Sequence, residues 1–291
     1  MERYKPIIED WEEFKQACDR PIISTVRRNQ IKAGSDFEER LRREFKDIEQ
    51  SGWNDDVYRL KSTDSPGKSV LHWLGHYYVQ EESAALPIEV LNPKKGDKVL
   101  DTCAAPGGKS TQIASKINNK GTVIANDDNT KRMKSLHANT YRTSSTSVLA
   151  TNYDGRQIPG NEKFDKILVD APCSGEGDKA RRKFETANID QVKGLARLQK
   201  QLIDRSSELL KEDGTLVYST CTFAPEENEE VVKHALEETE LEIKEINSEI
   251  PHSNGLTSFQ DREYGEEMGK TVRVYPHHLD SGGIYVAKFT K

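Results

Sequence analysis

From residue 98 onward the chain repeats one unit: a short apolar run, a turn, then a stretch with helical spacing. Lys98-Val99-Leu100-Asp101 reads as a buried strand, 110–117 as a helix, 122–127 as a strand and 130–141 as a helix. Two more strands are expected at 147–150 and 166–170. Leu195, Leu198, Leu202 and Leu209 give residues 195–211 an apolar helical face, which Glu212-Asp213-Gly214 stops. Residues 215–219 read as a strand. A helix is expected from Pro225, with Glu226 and Glu227 at its positive end, and 283–289 close the chain as a strand. Parallel neighbours need a crossover between them, so repeated β-α units restrict this region to a doubly wound, mostly parallel sheet.

The first ninety or so residues lack that alternation. They hold charged helical stretches, residues 37–48 above all, and few buried-strand runs. Asn92-Pro93-Lys94-Lys95-Gly96-Asp97 supplies a boundary turn, dividing a smaller N-terminal α/β or helical module (1–92) from a larger domain (93–291). No apolar run is long enough to span a bilayer, and the N-terminus has no signal-peptide core, so a cytoplasmic protein is expected. A monomer is the expected state. The four cysteines, Cys18, Cys103, Cys173 and Cys221, lack C-x-x-C spacing, which argues against a zinc site and against thiol-redox chemistry; no metal is expected. A formal net charge of −6 does not mark a nucleic-acid binder, but local basic clusters exist. Arg27 and Arg28 belong to one, Arg40, Arg42, Arg43 and Lys46 to another, and Lys179, Arg181, Arg182 and Lys183 to a third. Each taken alone reads equally as a solvated helix face.

Ligands of open parallel sheets bind beyond the carboxyl ends of the strands. Asp101-Thr102-Cys103-Ala104-Ala105-Pro106-Gly107-Gly108-Lys109 lies there, between first strand and first helix. Its glycines allow close backbone approach, and helix N-terminal amides favour a carboxylate or phosphate. The segment matches neither the dinucleotide fingerprint nor a Walker loop. Acids follow four successive strands: Asp101, Asp127, Asp154 and Asp170. One such acid is equally a helix cap. Four together point to a nucleoside ligand whose ribose hydroxyls and amines need acceptors, and S-adenosylmethionine has that chemistry.

Two further motifs end strands: Asp170-Ala171-Pro172-Cys173-Ser174-Gly175 and Ser219-Thr220-Cys221-Thr222. Small buried thiols at strand ends are one reading. Two beside a cofactor turn favour covalent chemistry, because a thiolate can add to C6 of a pyrimidine and make C5 nucleophilic. Cys103 is expected under the cofactor loop and Cys18 in the N-terminal core.

With these residues in view, the chain resembles the RNA cytosine-C5 methyltransferases of the Sun (NSUN) type, archaeal tRNA enzymes among them. The resemblance rests on residues 99–110, on Asp170 to Gly177, on Tyr218 to Thr222 with Pro225-Glu226-Glu227-Asn228-Glu229, on Tyr78 to Ser83, and on Arg273 to His278 with Gly283 to Lys288. It implies a Rossmann-like, seven-stranded methyltransferase sheet with an N-terminal RNA-binding module. By that resemblance Cys221 is the nucleophile at C6 and Cys173 assists product release. Asp170 contacts the cofactor amine or the pyrimidine N3 region, and Lys109 lies by the reacting base. The cofactor S-adenosylmethionine is expected against Cys103, Ala104, Ala105, Pro106, Gly107, Gly108, Lys109, Asp127, Arg132, Asp154 and Asp170. A neighbouring ammonium lowers a thiol pKa and burial raises it, so the two oppose each other here. Arg142-Thr143-Ser144-Ser145-Thr146 stands where a glycine-containing turn is expected, and the chain ends at Lys291 without the extra C-terminal RNA-binding domain of some relatives.

A stacked cytosine hides C5 and C6, so the substrate nucleotide must be unpaired or extruded from RNA. Arg27, Arg28, Lys179, Arg181, Arg182 and Lys183 are the expected phosphate contacts. His277 and His278 read as structural. The activity expected is methylation of RNA cytosine C5, on tRNA, with rRNA the alternative. A non-catalytic RNA-binding or ribosome-assembly factor is opposed by the presence of both thiols.

Overall fold

The computed structural model describes residues 1–21, 23–61, 65–178 and 184–291. A short 3-10 turn, Glu2–Ile7, leads into α1 (Trp11–Asp19). Then come β1 (Ser24–Arg28), α2 (Phe37–Glu44), β2 (Ile48–Gln50), β3 (Val57–Leu60), α3 (Val70–Trp73) and β4 (Tyr77–Val79). The four strands form a small antiparallel sheet in the order β2-β3-β1-β4. The helix expected over 37–48 stops at Glu44. Phe45 turns extended because it and Ile48 drop into the same small core as Val26, Leu41 and Leu60.

Residues 1–19 pack away from that small sheet. Tyr4, Trp11, Phe14 and Cys18 share a core with Phe223 and Tyr275 of the larger domain, with Phe14 edge-on to both rings. Cys18 therefore sits in a core shared between the chain's two ends, a placement different from the N-terminal core expected for it.

The larger sheet contains, in chain order, β5 (Lys98–Asp101), β6 (Thr122–Asn126), β7 (Val148–Thr151), β8 (Phe164–Asp170), β9 (Leu210–Thr220), β10 (Glu242–Lys244), β11 (Ser253–Asn254), β14 (Val272–Val274) and β15 (Ile284–Thr290); a two-stranded hairpin, β12 (Ser258–Phe259) with β13 (Arg262–Glu263), stands apart. Helices α4 (Leu86–Leu91), α5 (Gly108–Lys116), α6 (Thr130–Arg142), α7 (Ile189–Leu209), α8 (Glu229–Glu238) and α9 (Pro276–Leu279) surround it. Strands β9-β8-β5-β6-β7 run parallel; β15 joins β9 antiparallel and β14 joins β15 antiparallel. These seven make up the doubly wound, Rossmann-like sheet expected. The short β10 and β11 extend its edge, giving nine strands among the described residues. The apolar strand cores (Val99, Leu100, Val123, Ile167, Leu168, Leu216, Val217) are fully buried between helical layers.

Local details differ from the sequence reading in three places. Glu212-Asp213-Gly214 lies within β9, since α7 already ends at Leu209. Pro225 to Asn228 form turns, and helix α8 begins only at Glu229. After α6 the expected glycine turn exists, but Ser144 fills it at φ 55, with Ser145 N–H donating to Thr140 O at 2.9 Å to close the helix end.

One buried ion pair ties the late strands to helix α8. Arg273 on β14 and Glu229 on α8 are 2% and 0% exposed. Arg273 Nε donates to Glu229 Oε1 at 2.7 Å, and its Nη1 donates to Phe223 O at 3.0 Å. Removing one partner strands the other charge in the interior. Arg273→Met is expected to lower the unfolding free energy by about 3–5 kcal/mol, and the double variant with Glu229→Gln to recover much of it. Denaturant unfolding of the three proteins checks this, and wild-type stability in the single variant contradicts it.

Candidate active site

Parallel pairing sets the site. β8 and β9 are adjacent, with Asp170 opposite Ser219 in register. Both chains then leave the sheet at the same edge, so the Asp-Ala-Pro-Cys and Ser-Thr-Cys motifs meet. Cys173 Sγ lies 3.2 Å from Cys221 Sγ, and Cys221 N–H donates to Cys173 Sγ at 3.3 Å. Cys221 is the more open of the two thiols.

Both sulfurs border a cavity of about 350 Å³ whose wall includes Cys103, Asp127, Arg132, Asp154 and Asp170, with Leu198 and Leu202 from α7. Asp127 is 2% exposed. Its Oδ2 accepts Ala105 N–H at 3.0 Å and its Oδ1 accepts Asn129 N–H at 3.0 Å, so backbone amides fix the carboxylate at the strand end. Arg132 donates to Ala105 O and lies 3.5 Å from Asp127. Asp154 caps the next turn and pairs with Arg156. Strand-end acids on one side and leucines on the other suit a nucleoside.

The turn residues divide. Ala104, Ala105, Pro106, Gly108 and Lys109 line a second cavity of about 240 Å³ that shares Cys103 and Asp170 with the first. Gly107 lines neither cavity; it caps α5 at φ 102, where a Cβ would stand 2.9 Å from Leu136 Cδ1. Asp101 is buried below, with Ser110 Oγ donating to it at 2.6 Å; burial pushes its carboxyl up to about 7.

Lys109 Nζ donates to Asp170 Oδ2 at 2.8 Å, and Ser219 Oγ donates to Asp170 Oδ1 at 2.7 Å. Burial alone would pull Lys109 down, but Asp170 outweighs it and the ammonium is held above its ordinary value. The thiols split in opposite directions. The hydrogen bond from Cys173 lowers Cys221, against burial and with help from Lys109. The same bond, together with burial, raises Cys173 well above its ordinary value. The pair therefore favours thiolate formation at Cys221 and disfavours it at Cys173. Cys103 is raised by burial, as suits a packing role.

The sequence reading missed the polar frame under the thiols. Glu227 is 0% exposed and accepts Ser174 N–H at 3.1 Å and Gln199 Nε2–H at 2.8 Å, while Gln199 also donates to Pro172 O. Asn228 Nδ2 donates to Thr222 O at 3.0 Å. Glu176 accepts from Tyr4 and from Thr222 Oγ1. The acids after the Thr-Cys motif, read as partners of a helix dipole, therefore divide their work: Glu227 holds the Pro-Cys loop, Glu229 holds Arg273 and Glu226 pairs with Arg3. Their clustering beside the thiol motif was the available signal.

The expected phosphate contacts need correction at one residue. Arg27 is 4% exposed and spends its guanidinium on Gln80, Gln112 and Thr111, so it is not a surface cation. Arg28 is half-buried and donates to Ala33 O and Gly34 O. Lys179, Arg181, Arg182 and Lys183 lie outside the described residues. His277 and His278 pack with Tyr275, and burial holds His278 down at about 4. Among the described residues no cluster of His, Cys, Asp or Glu is arranged to hold a metal ion, and no helix is long and apolar enough to cross a membrane.

Residues 88–290 match the family described as 16S rRNA methyltransferase RsmB/F, and residues 1–82 match the N-terminal domain of 16S rRNA methyltransferase RsmF. The tRNA (cytosine(49)-C(5))-methyltransferase of Pyrococcus abyssi is 36% identical, over 100% of this chain and 95% of its own length. Ribosomal RNA small subunit methyltransferase F of Vibrio parahaemolyticus is 36% identical over 96% of this chain but 59% of its own. The 28S rRNA (cytosine-C(5))-methyltransferase of Mus musculus is 35% identical, over 96% of this chain and 36% of its own. A solved methyltransferase homologue from Pyrococcus horikoshii superposes with TM-score 0.87 at 31% identity, covering 97% of this chain and 91% of its own. NSun6 from Pyrococcus horikoshii, solved with SFG, shares the fold at TM-score 0.85 and 23% identity, covering 100% and 97%.

The thiol pair makes a pH prediction. Alkylation by iodoacetamide follows the thiolate fraction, which rises with pH through the thiol pKa. Cys221 is expected to reach half-maximal alkylation below the ordinary thiol pKa and Cys173 above it. In a Cys173→Ala variant the Cys221 midpoint moves up, because the bond that lowers it is gone. Mass spectrometry of labelled peptides across pH checks this; an unmoved Cys221 midpoint contradicts it.

Proposed function

We propose that this chain, which belongs to the RsmB/F family of RNA cytosine-C5 methyltransferases, methylates C5 of a cytosine in tRNA through a covalent adduct on Cys221. The observation that supports it most is the 3.2 Å approach of the two thiols at the wall of the nucleoside-sized cavity. S-adenosylmethionine bound there supplies an electrophilic methyl group. Asp127 and Asp154 would hold its ribose and adenine, Leu198 and Leu202 its apolar face, with Arg132 fixing the Ala105 turn. Backbone amides hold the Asp127 carboxylate at its strand end, where a ribose would come.

This chain's own groups do the rest. The Cys221 sulfur forms a bond to C6 of the extruded base, and the electron pair of the C5–C6 double bond becomes available at C5 for the new carbon–carbon bond. Lys109 and Asp170, joined to each other, would face the pyrimidine's N3 side and steady the charge that develops there. The C5 proton then leaves to a base, the C5–C6 double bond re-forms and the Cys221–C6 bond breaks. Cys173, whose sulfur lies 3.2 Å from that of Cys221, assists that release. The frame of Glu227, Glu176 and Asn228 holds both loops in this register.

tRNA is favoured because the Pyrococcus abyssi relative, a tRNA (cytosine(49)-C(5))-methyltransferase, is 36% identical over the whole of this chain. Two observations support RNA-competent architecture: the small antiparallel module abuts the catalytic turn through Tyr78, and its sequence matches an rRNA methyltransferase N-terminal domain.

Unmodified tRNA and rRNA transcripts, incubated with S-adenosylmethionine and read by bisulfite sequencing, test the substrate. Cytosine 49 of tRNA is the expected product position, and methylation confined to rRNA overturns the choice. Cys221→Ala is expected to reduce methyl transfer to background. Cys173→Ala is expected to leave RNA bound to protein through denaturing electrophoresis. A Cys221→Ala enzyme working at the wild-type rate refutes the covalent route.

A further inference from the structure

Two stretches of the chain hold no acid at all, residues 65–80 and residues 129–153. With 49 Asp and Glu in 291 residues, chance would place about seven acids there. The first stretch contains α3 and β4, and the second contains α6. Folding joins them. Arg142 Nη1, at the end of α6, donates to His72 O at 2.8 Å and to Tyr77 O at 3.1 Å. Asn29 Nδ2 donates to both Gly75 O and Thr143 O at 2.8 Å, which ties the turn after α3 to the turn after α6.

The most exposed large apolar side chains among the described residues stand on these two helices. Tyr141 is 89% exposed, Trp73 76% and Val70 65%. His72 and Arg142, the hydrogen-bonded pair, are the chain neighbours of Trp73 and Tyr141, so both open rings belong to one seam between the small module and the large domain. The other two tryptophans are held in: Trp11 is buried, and Trp53 donates its Nε1–H to Glu82 Oε1 at 2.9 Å. Lys68, Lys131 and Lys134 are exposed on the same two stretches. Elsewhere on the surface acids neutralise the cations, Glu38 on Arg42 and Glu49 on Lys61. Among the described residues these three lysines have no carboxylate partner.

Cations without acids attract a polyanion, and open aromatic rings stack on unpaired bases, which present a π-face whatever their sequence. The surface is also joined to the site. Arg132, in the first turn of α6, lines the cofactor cavity, and Asn139 Nδ2 donates to Pro106 O at 2.9 Å in the catalytic turn. The helix covers about 20 Å. RNA read at an extruded base has unpaired neighbours to place, and α6 leads from the site to this face. We propose that α3 and α6 form a docking surface for the substrate RNA, on which Trp73 and Tyr141 stack unpaired bases flanking the target cytosine while Lys68, Lys131 and Lys134 meet phosphates. The assignment rests on the RNA reading above.

Trp73→Ala and Tyr141→Ala remove exposed rings, so the thermal unfolding midpoint and the affinity for S-adenosylhomocysteine stay at wild-type levels. Binding of whichever transcript the wild type methylates, tRNA or rRNA, is expected to weaken about tenfold in each variant. Single-turnover methylation slows by that factor at low RNA and returns to the wild-type rate at saturating RNA, because the rings act in docking and not in the chemistry. Trp73→Phe keeps a ring to stack and retains most of the affinity. Lys68→Gln, Lys131→Gln and Lys134→Gln combined lower the logarithmic salt slope of RNA binding by about two. A double Trp73→Ala, Tyr141→Ala variant that binds RNA as the wild type does, or an unchanged salt slope in the lysine variant, overturns this surface alone. A wild type that sediments as a dimer which Trp73→Ala dissolves also overturns it, since a second copy then covers the face. A wild type that methylates no RNA transcript overturns the RNA reading and this surface together.

Discussion

The parallel pairing of β8 with β9 is the constraint on which the site depends. A parallel ladder carries both strands out of the sheet at one edge, and the Asp170–Ser219 register decides which residues meet there. With that register, Cys173 and Cys221 come within hydrogen-bonding reach, and Asp170 receives both Ser219 and Lys109. A slip of one residue would turn each of these side chains to the other face. The chemistry therefore rests on packing that lies well below it, in the buried runs of Ile167, Leu168, Leu216 and Val217.

Above the strand ends, the loops need holding of a different kind. They carry backbone groups that no ladder satisfies, and buried carboxylates do that work instead. Glu227 spans Ser174 and Gln199, Glu176 joins Tyr4 to Thr222, and Glu229 takes Arg273. These three acids come from positions close to the thiol motifs in sequence, but their partners come from the first turn, from α7 and from β14. The first nineteen residues close the same assembly from outside, with Phe14 against Phe223 and Tyr275. The two ends of the chain meet behind the nucleophile.

Much of this was legible in the sequence, for physical reasons that differ from case to case. Parallel strands buried on both faces show as continuous apolar runs, so β5, β6, β8 and β9 stood out, and the turn at Gly107 announced itself through the residue type its φ of 102 requires. Strand-end positions then located both thiols and the acids at Asp127, Asp154 and Asp170. Long-range polar partnerships were not legible. Arg27 looks like any surface arginine in a line of text. Only the docking of β1 and β4 on α5 shows it buried between Gln80, Gln112 and Thr111. The short antiparallel strands β10, β11 and β14 were missed because two or three residues give no readable alternation. Ser144 at φ 55 shows the converse case, a turn whose geometry persists without the residue that normally signals it.

The central claim is that Cys221 and not Cys173 attacks the base. An RNA carrying 5-fluorocytidine at the methylated position tests it most directly, since fluorine at C5 cannot leave as the proton does and the adduct persists. Digestion of the trapped complex and mass spectrometry locate the attachment. The account predicts a nucleotide on the peptide containing Cys221, with the Cys173 peptide unmodified. A nucleotide on Cys173 would contradict it.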